Sequence, residues 1–133
     1  MTLIAVTRLR LRSIRFLLHF GWLAYRAGAQ ARGSSGHLES RVLNDANFAF
    51  WTMSAWKSEP AMRAFVMSGV HRGAMIRLRE ICDEASVVHW TQETAELPDW
   101  LYAHRRMVAE GRPSNVRHPS AAHLAGVIAE PRV

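Results

Sequence analysis

The segment Phe48 to Trp56 constrains the fold more than any other stretch. Read as a strand, it sends Phe48, Phe50, Thr52, Ser54 and Trp56 to one side and Ala49, Trp51, Met53 and Ala55 to the other. Both sides are substantially apolar, so the strand has to be covered twice, by helices on one side and by something else on the other. A chain of 133 residues with 49% apolar composition has room for one such core and not for two.

The rest of the pattern places that strand. Thr2 to Leu11 reads as a first strand, with Val6, Arg8, Arg10 and Arg12 alternating against Thr7, Leu9 and Leu11. From Ser13 the period becomes helical: Ile14, Leu17, Leu18, Gly21, Tyr25 and Gly28 recur on one stripe, and Arg12, Arg15, His19 and Arg26 fall on another. Gly33-Ser34-Ser35-Gly36 ends this helix, His37 to Asn44 reads as strand two, and Asn44-Asp45-Ala46-Asn47 carries hairpin-turn chemistry. After strand three, Ser58 caps a short helix with Glu59 and Pro60 in its first turn. Ser68-Gly69 interrupts it. A further helix from about Val70 presents His71, Ala74, Met75, Leu78 and Cys82, Asp83-Glu84 closes it, and Ala85 to Gln92 forms strand four.

Strand, helix, strand, strand, helix, strand is the ferredoxin-like βαββαβ order, an α+β two-layer sandwich with both helices on one face of an antiparallel sheet. The other face is then bare, and its simplest cover is a second copy of the same sheet, giving a homodimer in which two sheets close a dimeric α/β barrel. Residues 1–95 form this barrel domain in our reading. Residues 96–133 form a C-terminal helix starting at Leu97-Pro98-Asp99 and an extended tail that either wraps a subunit or is disordered.

Charge and cysteine usage narrow the function classes. The net charge is +6, and residues 1–38 hold six arginines and no carboxylate; beyond them eleven basic and eleven acidic residues cancel. Neither a dense basic stripe nor interleaved base readers accompany it, so no nucleic-acid partner is expected. The arginines before Phe16–Tyr25 imitate an export signal, but His19 and Gly21 interrupt the apolar run and a strand precedes it. Only ten residues separate Arg15 from Arg26, too few for a membrane span. An exported or membrane-surface reading of Arg8 to Arg26 remains the third alternative. Cys82 is the one cysteine, which excludes an internal disulfide and a cysteine-built zinc site and fits a cytoplasmic protein.

The run Phe50-Trp51-Thr52-Met53-Ser54-Ala55-Trp56-Lys57-Ser58-Glu59, continued by Ala61-Met62-Arg63-Ala64-Phe65 and Gly69-Val70-His71-Arg72, resembles the dimeric α/β-barrel monooxygenase-like superfamily. The similarity is to its antibiotic-biosynthesis-monooxygenase-like and spheroidene-monooxygenase-like proteins and spans about residues 2–92. The resemblance implies the barrel fold. It implies activity only loosely, because the superfamily includes cofactor-free oxygenases of electron-rich aromatics, haem-dependent enzymes and proteins without demonstrated catalysis.

His71 is the candidate catalytic residue. It lies on the apolar stripe of its helix near the helix start, where desolvation and the positive helix end keep the imidazole neutral at pH 7. Such a group can act as a general base or as an axial haem ligand, so the cofactor is none or haem. It can equally be a structural histidine tying helix to sheet. Phe50, Trp51, Thr52, Ser54 and Trp56 are the candidate substrate-binding residues, mixing aromatic walls with small polar groups; Trp51 and Trp56 point to opposite faces, so at most one lines a given cavity. His89 has no obvious carboxylate partner. His104, His118 and His123 lack ligand spacing, so no non-haem metal is expected, and no phosphate loop or hydrolase nucleophile motif occurs. The expected function is a monooxygenase-like oxidoreductase acting on a small hydrophobic or aromatic molecule. The alternative is a non-catalytic homodimeric binding or structural protein of the same fold.

Overall fold

The computed structural model describes residues 1–133. Strand β1 (Thr2–Leu11) is followed by a 3-10 turn (Ile14–Phe16) and helix α1 (Leu17–Arg32); then come β2 (His37–Asn44), β3 (Ala49–Trp56), α2 (Glu59–Val66), α3 (Gly69–Ile81) and β4 (Cys82–Gln92). Helix α4 (Trp100–Glu110), a two-residue strand β5 (Arg112–Pro113) and helix α5 (Ala121–Ala125) complete the chain. The sheet order is β2-β3-β1-β4-β5, antiparallel throughout, so β3, β1 and β4 are interior and β2 and β5 are its edges. This is the α+β ferredoxin-like order read from the sequence, with an added edge strand.

Local chemistry explains the boundaries. Ser58 accepts the Ala61 N–H at 3.3 Å and Pro60 follows in the first turn, starting α2 where both are tolerated. Asp99 accepts the Tyr102 N–H at 2.7 Å and starts α4. Strand β3 begins at Ala49 and not at Phe48, because Asn47 and Phe48 both take left-handed φ values (59° and 61°) to turn the chain.

Three features differ from the sequence reading, each for a physical reason. The buried face of α1 is Phe20 and Ala31 with Phe16 and Leu23 beside them, not the stripe of Ile14, Leu18 and Tyr25, which faces outward. Phe20 wins because it meets Phe50 of β3 on the helix-facing side of the sheet, ring centroids 4.5 Å apart. Strand β4 begins at Cys82, so Asp83 and Glu84 are strand residues and do not end a helix; Arg8 and Arg10 on the neighbouring strand compensate their charges.

The third difference concerns the second sheet face, which is not bare. Ile4, Val6, Trp51, Met53, Ala55, Val88 and Trp90 pack under Leu97, Ala103 and Met107 of the same chain, with Trp100, Tyr102 and Ile128 at the margin. Trp51 is 0% exposed within a single chain. The tail wraps its own subunit: Ser114 and Ser120 donate backbone N–H groups to Ala85 and Asp83 of β4, and Arg132 donates its backbone N–H to Asp45. The apolar side of the helix after Pro98 does not say which surface it meets; the apposed sheet shows what Leu97 and Met107 cover.

Candidate active site

The face of the sheet toward α1, α2 and α3 holds two apolar clusters. At one end Leu3, Trp56, Met62 and Ala31 pack together with Phe65 and Val66 beside them; at the other, Leu11, Phe20, Ile81 and Cys82 pack with Phe50 and Leu78. Thr7 and Thr52, directly opposite each other on β1 and β3, and Ser54 lie between and belong to neither cluster. Thr52 is exposed although its strand is interior. A polar, accessible band thus crosses an otherwise greasy sheet face.

His71 is joined to this band through Phe65 and Trp56, whose indole N–H bonds Ser54. It sits in the first turn of α3, half-buried, with its ring edge-on to Phe65 at 4.6 Å. Phe65 stacks on Trp56 at 5.2 Å, and Trp56 receives the edge of His37 at 5.2 Å, so four rings run in a row from α3 to the start of β2. The N-terminus of α3 is fixed from both neighbours: the Ser68 hydroxyl does not cap the helix but donates to the Phe65 carbonyl at 2.5 Å, and Gln30 of α1 donates to that same hydroxyl.

Burial lowers the His71 pKa, opposed only by a hydrogen bond from the ring to the Val66 backbone, so the ring is neutral at pH 7. Its Nδ1 is buried without a side-chain or solvent partner. That is costly unless something else uses the atom. His37 is held below the ordinary range in the same way, by burial and then by Arg32.

The sequence-predicted residues separate accordingly. His71 and Trp56 belong to one aromatic row, joined by Phe65. Ser54 accepts the Trp56 indole N–H at 2.9 Å and, with Thr52, forms the polar band. Phe50 lies at the far end against Phe20. Trp51 is on the opposite face, its indole N–H donating to Asp45 at 3.1 Å, with Trp100 and His104 edge-on to it. It shares no surface with His71.

The sequence gives Phe65 and His37 no site role and His89 only the lack of a carboxylate partner. Period-2 alternation could have found His89: it lies opposite Ala5 on β4, two residues from Val87, which pairs with Thr7, and so belongs to the polar-band face. Its ring is exposed. Phe65 is apolar at helical spacing, and nothing in its sequence context separates an aromatic bridge from ordinary core.

Two of the protein's cavities lie elsewhere. One of about 300 Å³ separates α1 from α3 and is lined by Leu23, Arg26, Val70, Ala74 and Arg77. The other, about 190 Å³, lies between the opposite sheet face and the tail, beside Arg8, Glu84, Ser86 and His123. His71 lines neither. A haem requires a free axial position at an imidazole and a slot as broad as the macrocycle beside it; the His71 ring is packed against Phe65, and the residues present do not fit that group. No three His, Cys, Asp or Glu side chains converge closely enough to hold a metal ion.

No protein-family model and no curated protein sequence matches the chain. Solved structures do. SnoaB, a cofactor-independent oxygenase from Streptomyces nogalater, matches with a TM-score of 0.59 at 16% identity over 74% of this chain and 98% of its own. An antibiotic biosynthesis monooxygenase matches at 0.62 and 10% identity over 69% and 99%, and a conserved protein from Methanosarcina mazei at 0.63 and 14% over 69% and 93%. Such identities carry the fold and leave the chemistry to the site. The chain therefore shares the ferredoxin-like fold of these solved structures.

Proposed function

We propose that the protein is a cofactor-free, monooxygenase-like oxidoreductase acting on a small hydrophobic or aromatic molecule that lies along the Thr7–Thr52–Ser54 band. The observation that carries this reading is the neutral, half-buried His71 imidazole, whose Nδ1 is buried without a side-chain or solvent partner, at the end of a row of aromatic rings that meets the band at Trp56 and Ser54. A neutral imidazole accepts a proton at pH 7, and the apolar surroundings make proton removal from an electron-rich substrate the step that needs help. The resulting carbanion or phenolate donates electrons to O2 directly. Conversion of a CH2 carbon and O2 to a carbonyl and water balances without an added reductant, which suits a site into which a haem does not fit.

The roles follow from placement. His71 takes the proton, Trp56 and Phe65 form the wall on which a flat substrate rests, and Thr52 and Ser54 offer hydroxyls to its polar edge. Phe50 bounds the far end. Homodimerisation is part of the proposal, supported by the exposed apolar side chains Leu38 and Val42 on edge strand β2. A cytoplasmic location is consistent with one free, buried cysteine.

Oxygen uptake with hydroxylated two- and three-ring aromatics tests the reading. His71→Gln should lower the rate by about 100-fold or more, the usual share of a general base, while Trp51→Phe leaves it near the parental level. A Soret band in purified protein that disappears in His71→Ala would replace this reading with a haem-dependent one. The non-catalytic binding alternative is favoured by one observation, the absence of any carboxylate hydrogen-bonded to His71; saturable binding of the same aromatics with no oxygen uptake would establish it.

A further inference from the structure

The +6 charge is not where the sequence places it. Arg8, Arg10 and Arg12 all pair with carboxylates of α3 and β4, namely Glu84, Asp83 and Glu80. The surplus sits on the helix layer. The 3-10 turn, α1, α2 and α3 hold seven arginines against two carboxylates, Glu59 and Glu80, and both of these are paired. Arg15, Arg26, Arg32, Arg72, Arg77 and Arg79 are exposed and make no salt bridge.

The same surface is apolar where a folded helix is usually polar. Opposite its buried Phe20 and Ala31, α1 and the turn before it present Ile14 (65% exposed), Leu18 (90%), Trp22 (58%) and Tyr25 (65%) to the outside. Trp22 and Tyr25 stack at 6.2 Å, and the Arg26 guanidinium lies over the Trp22 ring at 5.9 Å. Alongside runs the cleft of about 300 Å³ between α1 and α3, with Arg26 and Arg77 on its two walls and Gly69 and Gly73 leaving backbone accessible on α3.

We propose that this layer docks on an anionic membrane surface, with Leu18, Trp22 and Tyr25 entering the headgroup boundary and a lipid phosphate seated in the Arg26–Arg77 cleft. Charge complementarity selects the occupant. A second copy would bring the same unpaired arginines against each other with no carboxylate to meet them, whereas anionic headgroups neutralise them. Apolar side chains and amphipathic aromatics flanked by arginine are the composition of helices that lie in the interface plane. No helix of the protein is long and apolar enough to cross the bilayer, so the contact is peripheral.

Co-sedimentation with vesicles of phosphatidylcholine containing about 30% phosphatidylglycerol, against phosphatidylcholine alone, tests this. The parental protein should bind the anionic vesicles with a blue shift of Trp22 emission, lost in Trp22→Phe. Arg26→Gln/Arg77→Gln should weaken binding by about 25-fold, at roughly five-fold for each surface charge removed. Leu18→Glu should abolish it at unchanged thermal stability, since that side chain touches no core. Absence of binding to the anionic vesicles overturns the proposal. So does binding that survives Leu18→Glu, which would mark a general polyanion surface, or a dimer that Leu18→Glu dissociates without any vesicle binding, which would assign the face to a second copy. None of these outcomes depends on whether His71 supports oxygen uptake.

Discussion

Arg8 Nη1 donates to Glu84 Oε1 at 2.7 Å across strands β1 and β4, with side chains only 6% and 9% exposed. The two lie diagonally in the register, because Arg8 faces Ser86 and Glu84 faces Arg10. Glu84 also accepts from Arg10 and from the Ser120 hydroxyl of the tail, so one carboxylate ties two strands to residues 111–133. Glu84→Gln or Arg8→Met should each destabilise the fold by about 3–5 kcal/mol, whereas the double variant should cost less than their sum. Chemical denaturation of the four proteins measures the coupling.

The acid limb of stability should report the same carboxylate. Burial pushes the Glu84 pKa up, but hydrogen bonds from Arg8 and Ser120 and the charges of Arg8 and Arg10 outweigh it and hold the value below normal. A carboxyl depressed in the folded state stabilises above its unfolded pKa and loses that contribution as pH falls through the folded value. Stability should therefore drop below about pH 4.5, and the drop should shrink in Glu84→Gln. Asp83, raised chiefly by burial, acts with opposite sign, so Asp83→Asn should cost less at pH 7 than Glu84→Gln.

His71 gives a second pH signature, independent of activity. Its folded pKa is lowered by burial, so the unfolded chain binds more protons on the acid side of the ordinary histidine value of about 6.5. The resulting stability is present above that value and is lost as pH falls toward the folded pKa. Melting curves between pH 7 and pH 5 should show the loss, and His71→Gln should flatten it, with His37 supplying the remainder.

Gly36 has no tolerated replacement. Its φ is +86°, and a Cβ there would lie 2.6 Å from the Ala61 Cβ of α2. Gly36→Ala should destabilise by about 2–4 kcal/mol, combining left-handed strain with a clash between two elements. The same change at Gly21, which meets nothing within 4 Å and sits inside α1, should stabilise slightly. Thermal unfolding of the two variants separates them.

Cys82 should be silent to thiol reagents until the chain unfolds. Its side chain is buried against Leu11 and Ile81, and burial, with Asp83 beside it, pushes the thiol pKa up to about 12. Labelling in increasing denaturant should follow the global transition. A chain ending at residue 95 should behave differently at the tryptophans: without Leu97, Ala103 and Met107, Trp51 becomes open to acrylamide while Trp56 stays protected.

The alternation of the Phe50–Trp56 run and the cap at Ser58 determine the elements of residues 1–95 and their order, because backbone periodicity and capping are local properties of neighbouring residues. The same alternation put Trp51 and Trp56 on opposite faces. What covers each face was not local. Leu97 and Met107 lie some forty to fifty residues beyond β3, and a short helix of modest hydrophobicity gives no sign that it substitutes for a second sheet. The row from His37 through Trp56 and Phe65 to His71 likewise joins four elements, so no spacing encodes it. Charge followed the same rule: composition fixed its sum, but cross-strand pairing of Arg8 and Arg10 with Glu84 and Asp83 decided that the free surplus sits on the helix layer. Secondary structure is decided by residues adjacent in sequence; burial, pairing and the site itself are decided by residues adjacent in space.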